Sequence, residues 1–285
     1  MVQEAIMLNS TNDVSEQSSS SDAESLKSIP KKPDEKVSDR ELQRAQIMDA
    51  IGIFAGGVAH DLNNALTGLI SYPDLLLAQL PEDSPLRRPI TRIQESGRKA
   101  ASMVQDLVIL TRRDLKNNAM RFNLNRVIDE FLKSPEFENL HSIYPSVNIR
   151  ADLDHDLLNI KGSPTYVQRA VLNLAINAAE AVKGMGDIVL STFNRSLDTP
   201  YKGFEEVPAG QYAVLSVSDP GEAVSAENLE RIFEPFYTKK VMGRSATGMG
   251  MAVVWAVVKD HGGYIDVRSA PGAGTAVTLY FSCES

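Results

Sequence analysis

The chain has 285 residues, 43% of them hydrophobic, with 29 basic against 37 acidic side chains and a formal charge of −8. That length fits roughly two domains with real cores, and the acidic balance excludes a chain built mainly to bind nucleic acid or anionic membranes. The single cysteine, Cys283, excludes an intramolecular disulfide and a cysteine-held metal, and it fits a reducing, cytoplasmic compartment. The longest strongly apolar run, residues 251–258, is far short of the roughly 20 residues that span a bilayer. The first residues lack a signal-peptide pattern.

Residues 1–40 hold nine serines and no aromatic residue, a composition unable to bury enough apolar surface to offset the entropy of ordering, and they are expected to form a disordered arm. From about Glu41, Ile51, Ala55, Val58, Leu62, Ala65, Leu66, Leu69 and Leu76 recur three or four apart, the stripe of a long amphipathic helix. Pro73 interrupts it and predicts a kink. The stretch 80–86, LPEDSPL, reads as a loop, and a second stripe follows through Ile90, Ile93, Met103, Leu107 and Leu110. Two helices on a short loop make an antiparallel hairpin over 41–116. Each stripe is half covered in one hairpin, so pairing with a second copy into a four-helix bundle, a homodimer, is expected.

The polar segment RDLKNNAMR (113–121) reads as a hinge. Beyond it, LNRVIDEFLK predicts a helix, SVNIRADL and LLNIKG strands, and SPTYVQRAVLNLAINAAEAVKG a long helix with Ser163 as N-cap and Pro164 in its first turn. GDIVLSTF, QYAVLSVSD, GYIDVRS and TAVTLYF supply strands, with a helix over about Met249–Asp260. Residues 117–285 are thus expected to form one α/β sandwich, and the whole chain is of the α+β class.

Six stretches stand out. GGVAHDLNNALTGL (56–69) puts His60, Asp61 and Asn64 on a helix; by itself the histidine is as readily an ordinary surface or core residue. It lies two positions from Val58 and from Leu62, about 200° around the helix from the apolar stripe, and so faces outward. NLAINAA (173–179) sets Asn173 and Asn177 four apart; SDPGEA (218–223) ends a strand in an acid and a glycine; FEPFYTKK (233–240) leads into ATGMGMA (246–252); PGAGT (271–275) precedes the last strand. In this order and spacing they resemble the phosphoacceptor, asparagine, phenylalanine and glycine boxes of the sensor histidine kinases of two-component systems, over about residues 48–282. The ATP-binding domain of that family shares its fold with gyrase-type and heat-shock-chaperone ATPases.

The resemblance implies a protein-histidine kinase that moves the γ-phosphoryl of ATP to His60 and then to an aspartate on a response regulator receiver domain. Asp61 would orient the imidazole by accepting the proton of its other nitrogen; the alternative is a solvated helix acid. Asn64, one turn on, would position a water for phosphatase activity, or else is a simple surface asparagine. The family assigns Asn177 to Mg²⁺ and Asn173 to the neighbourhood of the phosphates. Gyrase-type relatives carry a glutamate at the place of Asn173, and an amide cannot take a proton from water, so transfer to histidine is favoured over hydrolysis. Asp219 would accept a hydrogen bond from adenine, and Gly221 would let the backbone approach. Lys240 would reach the phosphates, and Gly248 and Gly250 would open a helix whose N–H groups hold them. Phe236 and Tyr237 read as hinge or packing residues rather than ligands.

Two residues depart from the pattern. Ala223 and Ala246 stand where glycines are expected, and a positive φ at either would cost about 1 kcal/mol or more. The competing reading is therefore an ATP-binding-deficient dimeric phosphotransfer or scaffold protein. Neither a sensory domain nor a receiver is recognisable in the sequence, and a piece of a longer protein is a further reading.

Overall fold

The computed structural model describes residues 59, 61–111, 119–238 and 247–283. The expected arm over 1–40, His60, most of the expected hinge, Lys240 and Ala246 lie outside the described residues.

Helix α1 (residues 61–79) and helix α2 (Arg87–Thr111) form the expected antiparallel hairpin. Arg87 closes the turn: its Nη1 donates to the carbonyls of Leu77 (2.7 Å) and Leu80 (2.9 Å), two of the acceptors that a helix C-terminus leaves without an intrahelical donor. The helices approach closely at Gly97, where an added Cβ would stand 3.3 Å from the Leu69 carbonyl oxygen. Helix α1 runs on through Pro73, which is buried. The ring cannot supply the N–H owed to the Leu69 carbonyl, and at this turn the buried Gln94 of α2 donates to the Ile70 carbonyl (3.3 Å) and to the Asp74 carboxylate.

The sandwich is built from strand β1 (Met120–Phe122), α3 (Leu124–Leu132), α4 (Pro135–Ile143), β2 (Val147–Leu153), β3 (Ile160–Gly162), α5 (Pro164–Ala181) and β4 (Gly186–Leu197). There follow β5 (Tyr201–Lys202), β6 (Glu206–Val207), β7 (Gly210–Asp219), α6 (Ala226–Leu229), α7 (Gly250–Asp260), β8 (Tyr264–Ala270) and β9 (Gly274–Ser282). The main sheet has the order β2-β4-β7-β9-β8; β2 and β4 are parallel and the other pairs antiparallel.

Helix α5 starts as its sequence dictates, with Ser163 as N-cap and Pro164 at the first position. Its Val167, Val171 and Leu174 meet Ile188, Leu190, Leu215 and Leu279 of the sheet in one core. Helix α7 is buried from Ala252 to Val258 without a polar face, as befits a helix covered on more than one side; α5, the sheet and the end of α2 surround it, and Ile109 and Leu110 join the same core. The opposite sheet face carries a smaller cluster of Val207, Tyr212, Val214 and Tyr280 beneath the β5–β6 hairpin. That hairpin also guards the edge strand β8, because Glu205 Oε2 accepts both the Ile265 N–H (3.0 Å) and Lys259 Nζ (2.7 Å).

His261 ties the end of α7 to the start of α5. The Ser163 N–H donates to its Nε2 (3.0 Å), so its Nδ1 carries the proton and donates to the Val257 carbonyl (2.6 Å). Burial holds the imidazole pKa below its ordinary 6.5. The neutral ring is the one the fold needs, so its contribution is complete above about pH 6.5 and is lost as pH falls from there toward the depressed folded value. The melting temperature should fall between pH 7.5 and 5.5, and less steeply in His261→Gln, which starts about 1–3 kcal/mol less stable. Equal pH slopes in parent and variant would contradict this role.

Candidate functional site

The asparagine helix and the glycine-rich start of α7 face each other across a recess. Asn173, Ile176, Asn177 and Glu180 of α5 line one wall; Ile232, Tyr237, Thr238, Thr247, Gly248, Gly250 and Met251 line the rest. Asn173 and Asn177 share one face of α5 because four residues are about one turn. Gly250 stands against both: a Cβ there would lie 3.4 Å from Asn173 Oδ1 and 3.5 Å from Asn177 Nδ2. Gly248 has φ 69°, and its Cβ would fall 2.5 Å from the Phe236 carbonyl carbon, so only glycine fits. The Phe236 N–H donates to the Gly248 carbonyl (2.9 Å), joining the FEPFY turn to the glycine turn.

Helix α7 has Met249 at its N-cap, with no side-chain cap and no acid in the first turn. Its leading N–H groups and the positive end of its dipole therefore suit an anion. Asn173 is only 6% exposed, and its Nδ2 has no hydrogen-bond partner, a state shared among the described residues only with Trp255 Nε1. A buried donor left unpaired is costly; the Asn173 atom that stands toward Gly250 is its Oδ1. No group of three or more His, Cys, Asp or Glu side chains able to hold a metal occurs among the described residues; the oxygen donors in the recess wall include the amides of Asn173 and Asn177 and the carboxylate of Glu180.

Asp219 and Gly221 do not line this recess. They lie just beyond it at the same, C-terminal end of α5, where the Glu222 N–H donates to the carbonyl of Ala181, the residue after Glu180 (3.1 Å). Asp219 is buried at the end of β7 and its Oδ1 accepts the Gly221 N–H (2.8 Å). A Cβ on Gly221 would meet the Ala181 carbonyl carbon at 2.6 Å. Gly274, at φ 80°, belongs to the turn that lies directly on the Asp219 backbone, and Thr275 pairs with Asp219 in the sheet.

Among the described residues Phe236 is the only non-glycine with a positive φ, 65°. Ala223 therefore carries no left-handed strain, and glycine at that position would relieve none. Phe236 is 55% exposed, a turn residue and not core. Tyr237 is a wall residue: its hydroxyl donates to Asn228 Oδ1 (2.8 Å) and the Arg231 guanidinium lies 4.1 Å from its ring centroid. Thr238 and Thr247, also in the wall, had no separate signal beyond their place beside the boxes. Asp61 and Asn64 are exposed on α1, on the same chain stretch as His60.

Two family models match the chain: "His Kinase A (phospho-acceptor) domain" over residues 50–116 and "Histidine kinase-, DNA gyrase B-, and HSP90-like ATPase" over residues 162–285. Sensor kinase CckA of Brucella abortus is 32% identical over 250 residues, 87% of this chain and 26% of that one. Sensor histidine kinase ZraS of Klebsiella oxytoca is 29% identical over 238 residues, 83% of this chain and 47% of that one. The chain thus spans less than half the length of these relatives. Full-length ShkA in complex with AMPPNP superposes with a TM-score of 0.60 over 82% of this chain and 47% of that one, at 18% identity, a likeness of fold.

Proposed function

Because this chain belongs to the sensor histidine kinases of two-component systems, we propose that it phosphorylates His60 from ATP and passes the phosphoryl group to an aspartate of a response regulator. The observation that carries this reading is the recess in which the Asn173 and Asn177 face of α5 meets the uncapped start of α7, with one buried amide donor lacking a partner. Asn177 would offer its amide oxygen to Mg²⁺, which supplies charge stabilisation to the phosphates when bound. Asn173 would donate to a phosphate oxygen, the N–H groups from Gly248 to Gly250 would cradle the phosphate chain, and Lys240 would add a positive charge. Asp219 would accept from the adenine amino group.

In the transfer, a ring nitrogen of neutral His60 attacks the γ-phosphorus, the bond to the ADP oxygen breaks, and Asp61 holds the proton on the other nitrogen. Asn64 would later position water against the regulator's acyl phosphate. Such transfer depends on positioning, which requires the segment 113–121 to act as a hinge.

Pairing of two copies accounts for the apolar groups the hairpin leaves exposed, Leu62, Leu69, Leu75, Leu76 and Ile93. Among the described residues no helix is long and apolar enough to cross a membrane; the proposed site of action is the cytoplasm, where ATP is held. The scaffold alternative is not favoured, since an ATPase-family match covers the recess and Ala223 is unstrained. Titration with a non-hydrolysable ATP analogue tests the donor half: Mg²⁺-dependent binding supports it, and no binding by a folded chain would overturn it.

A further inference from the structure

One ion pair joins the hairpin to the sandwich. Arg169 Nε donates to Asp106 Oδ1 at 2.6 Å, and its Nη2 donates to the carbonyl (3.0 Å) and hydroxyl (2.6 Å) of Ser102. The side chains of Arg169 and Asp106 are 13% and 7% exposed. Surface pairs contribute little, but a desolvated pair broken on one side leaves an unpaired charge, so this contact fixes geometry. It joins α2 of the hairpin to α5, one turn before Asn173 and two before Asn177.

The antiparallel packing of Gly97 against Leu69, continued along the hairpin, sets residues 102–106 level with the first described turn of α1. Asn63 and Gln105 indeed line one cavity of about 370 Å³ together with Thr165, Gln168 and Arg169. The part of α5 that meets the hairpin is thus its N-terminal turns, and Asn177 stands about 12 Å further along the axis than Arg169. No hairpin residue lines the nucleotide recess among the described residues.

We propose that Arg169, gripping Asp106 and Ser102, is a positioning residue that clamps the ATP-binding domain to its own hairpin in an idle arrangement, withholding the donor site from that hairpin until the clamp opens. The proposal rests on the kinase reading above. Releasing the clamp removes an interaction made only in the idle arrangement, and the population shifts toward transfer.

Asp106→Asn keeps the shape and removes the charge, Asp106→Glu keeps the charge, and Ser102→Ala is the milder variant should Asp106→Asn fold poorly. In the whole chain, the initial rate of His60 labelling should rise about fivefold or more in Asp106→Asn and by less in Ser102→Ala, and stay near parent in Asp106→Glu. Affinity for the ATP analogue should be unchanged in all three. An unchanged or lower rate with intact affinity would overturn the idle clamp, and lost affinity would reassign Arg169 to support of the nucleotide site. If the parent chain takes no label, the kinase reading has failed and hydrogen exchange still decides the clamp. Faster exchange over residues 102–109 and 165–172 in Asp106→Asn supports it, and identical protection overturns it.

Discussion

A His60→Gln chain is expected to bind the ATP analogue as the parent does and to incorporate phosphoryl label slower by on the order of 10³-fold or more. The size follows from what is removed. An imidazole at neutral pH has one ring nitrogen with a free lone pair and one protonated nitrogen for Asp61 to hold; a glutamine amide offers no comparable nucleophile. Binding is spared because every residue of the nucleotide recess comes from α5 onward. Labelling at the parental rate would remove His60 from the chemistry.

Asn177→Ala is expected to weaken Mg²⁺-dependent nucleotide binding by about 100-fold or more, since the alanine deletes the proposed protein ligand of the cation. Asn177 is partly exposed to the recess, while the packing face of the same helix, Val171, Leu174, Ala175 and Ala178, is untouched. Folding and assembly should therefore survive, as size-exclusion chromatography and circular dichroism would report. Equal affinity in variant and parent would take the metal away from Asn177, and affinity lost equally with and without Mg²⁺ would make Asn177 a phosphate contact instead.

Much of the sandwich was legible because its signals are local. Ser163 and Pro164 announce α5, and alternating apolar residues mark β7 and β9. Helix α4 escaped notice although Ser134 caps it, Pro135 opens it and Glu136 and Glu138 fill its first turn; only Leu140 is buried, so it lacks the apolar stripe that periodicity detects. The β5–β6 hairpin could not be read locally. It is held by Asp266, more than sixty residues away, through the Tyr201 hydroxyl and the Phe204 N–H, and by Gly203, where a Cβ would collide with that carboxylate.

The candidate site divides in the same way. The boxes that hold Asn173, Asn177, Gly248 and Gly250 are local patterns, one helix face and one glycine-rich helix start, and their roles are what the family resemblance implies. Tyr237 reads from the sequence as a hinge or packing residue, since nothing beside it shows that Asn228 and Arg231 fix its ring in the recess wall. Strain at Ala223 would depend on its backbone dihedral, which is not written in the residue type. The pairing of Arg169 with Asp106 spans sixty-three positions and left no trace in either helix pattern.

The central claim is that phosphoryl moves from ATP to a histidine of this chain, and the stability of the bond formed tests it most directly. The parent chain is incubated with γ-labelled ATP and Mg²⁺, freed of nucleotide, and exposed separately to acid and to alkali. A phosphoramidate on His60 should be lost in acid and kept in alkali. Label that survives acid, or a folded chain that binds ATP and takes no label, would contradict the account.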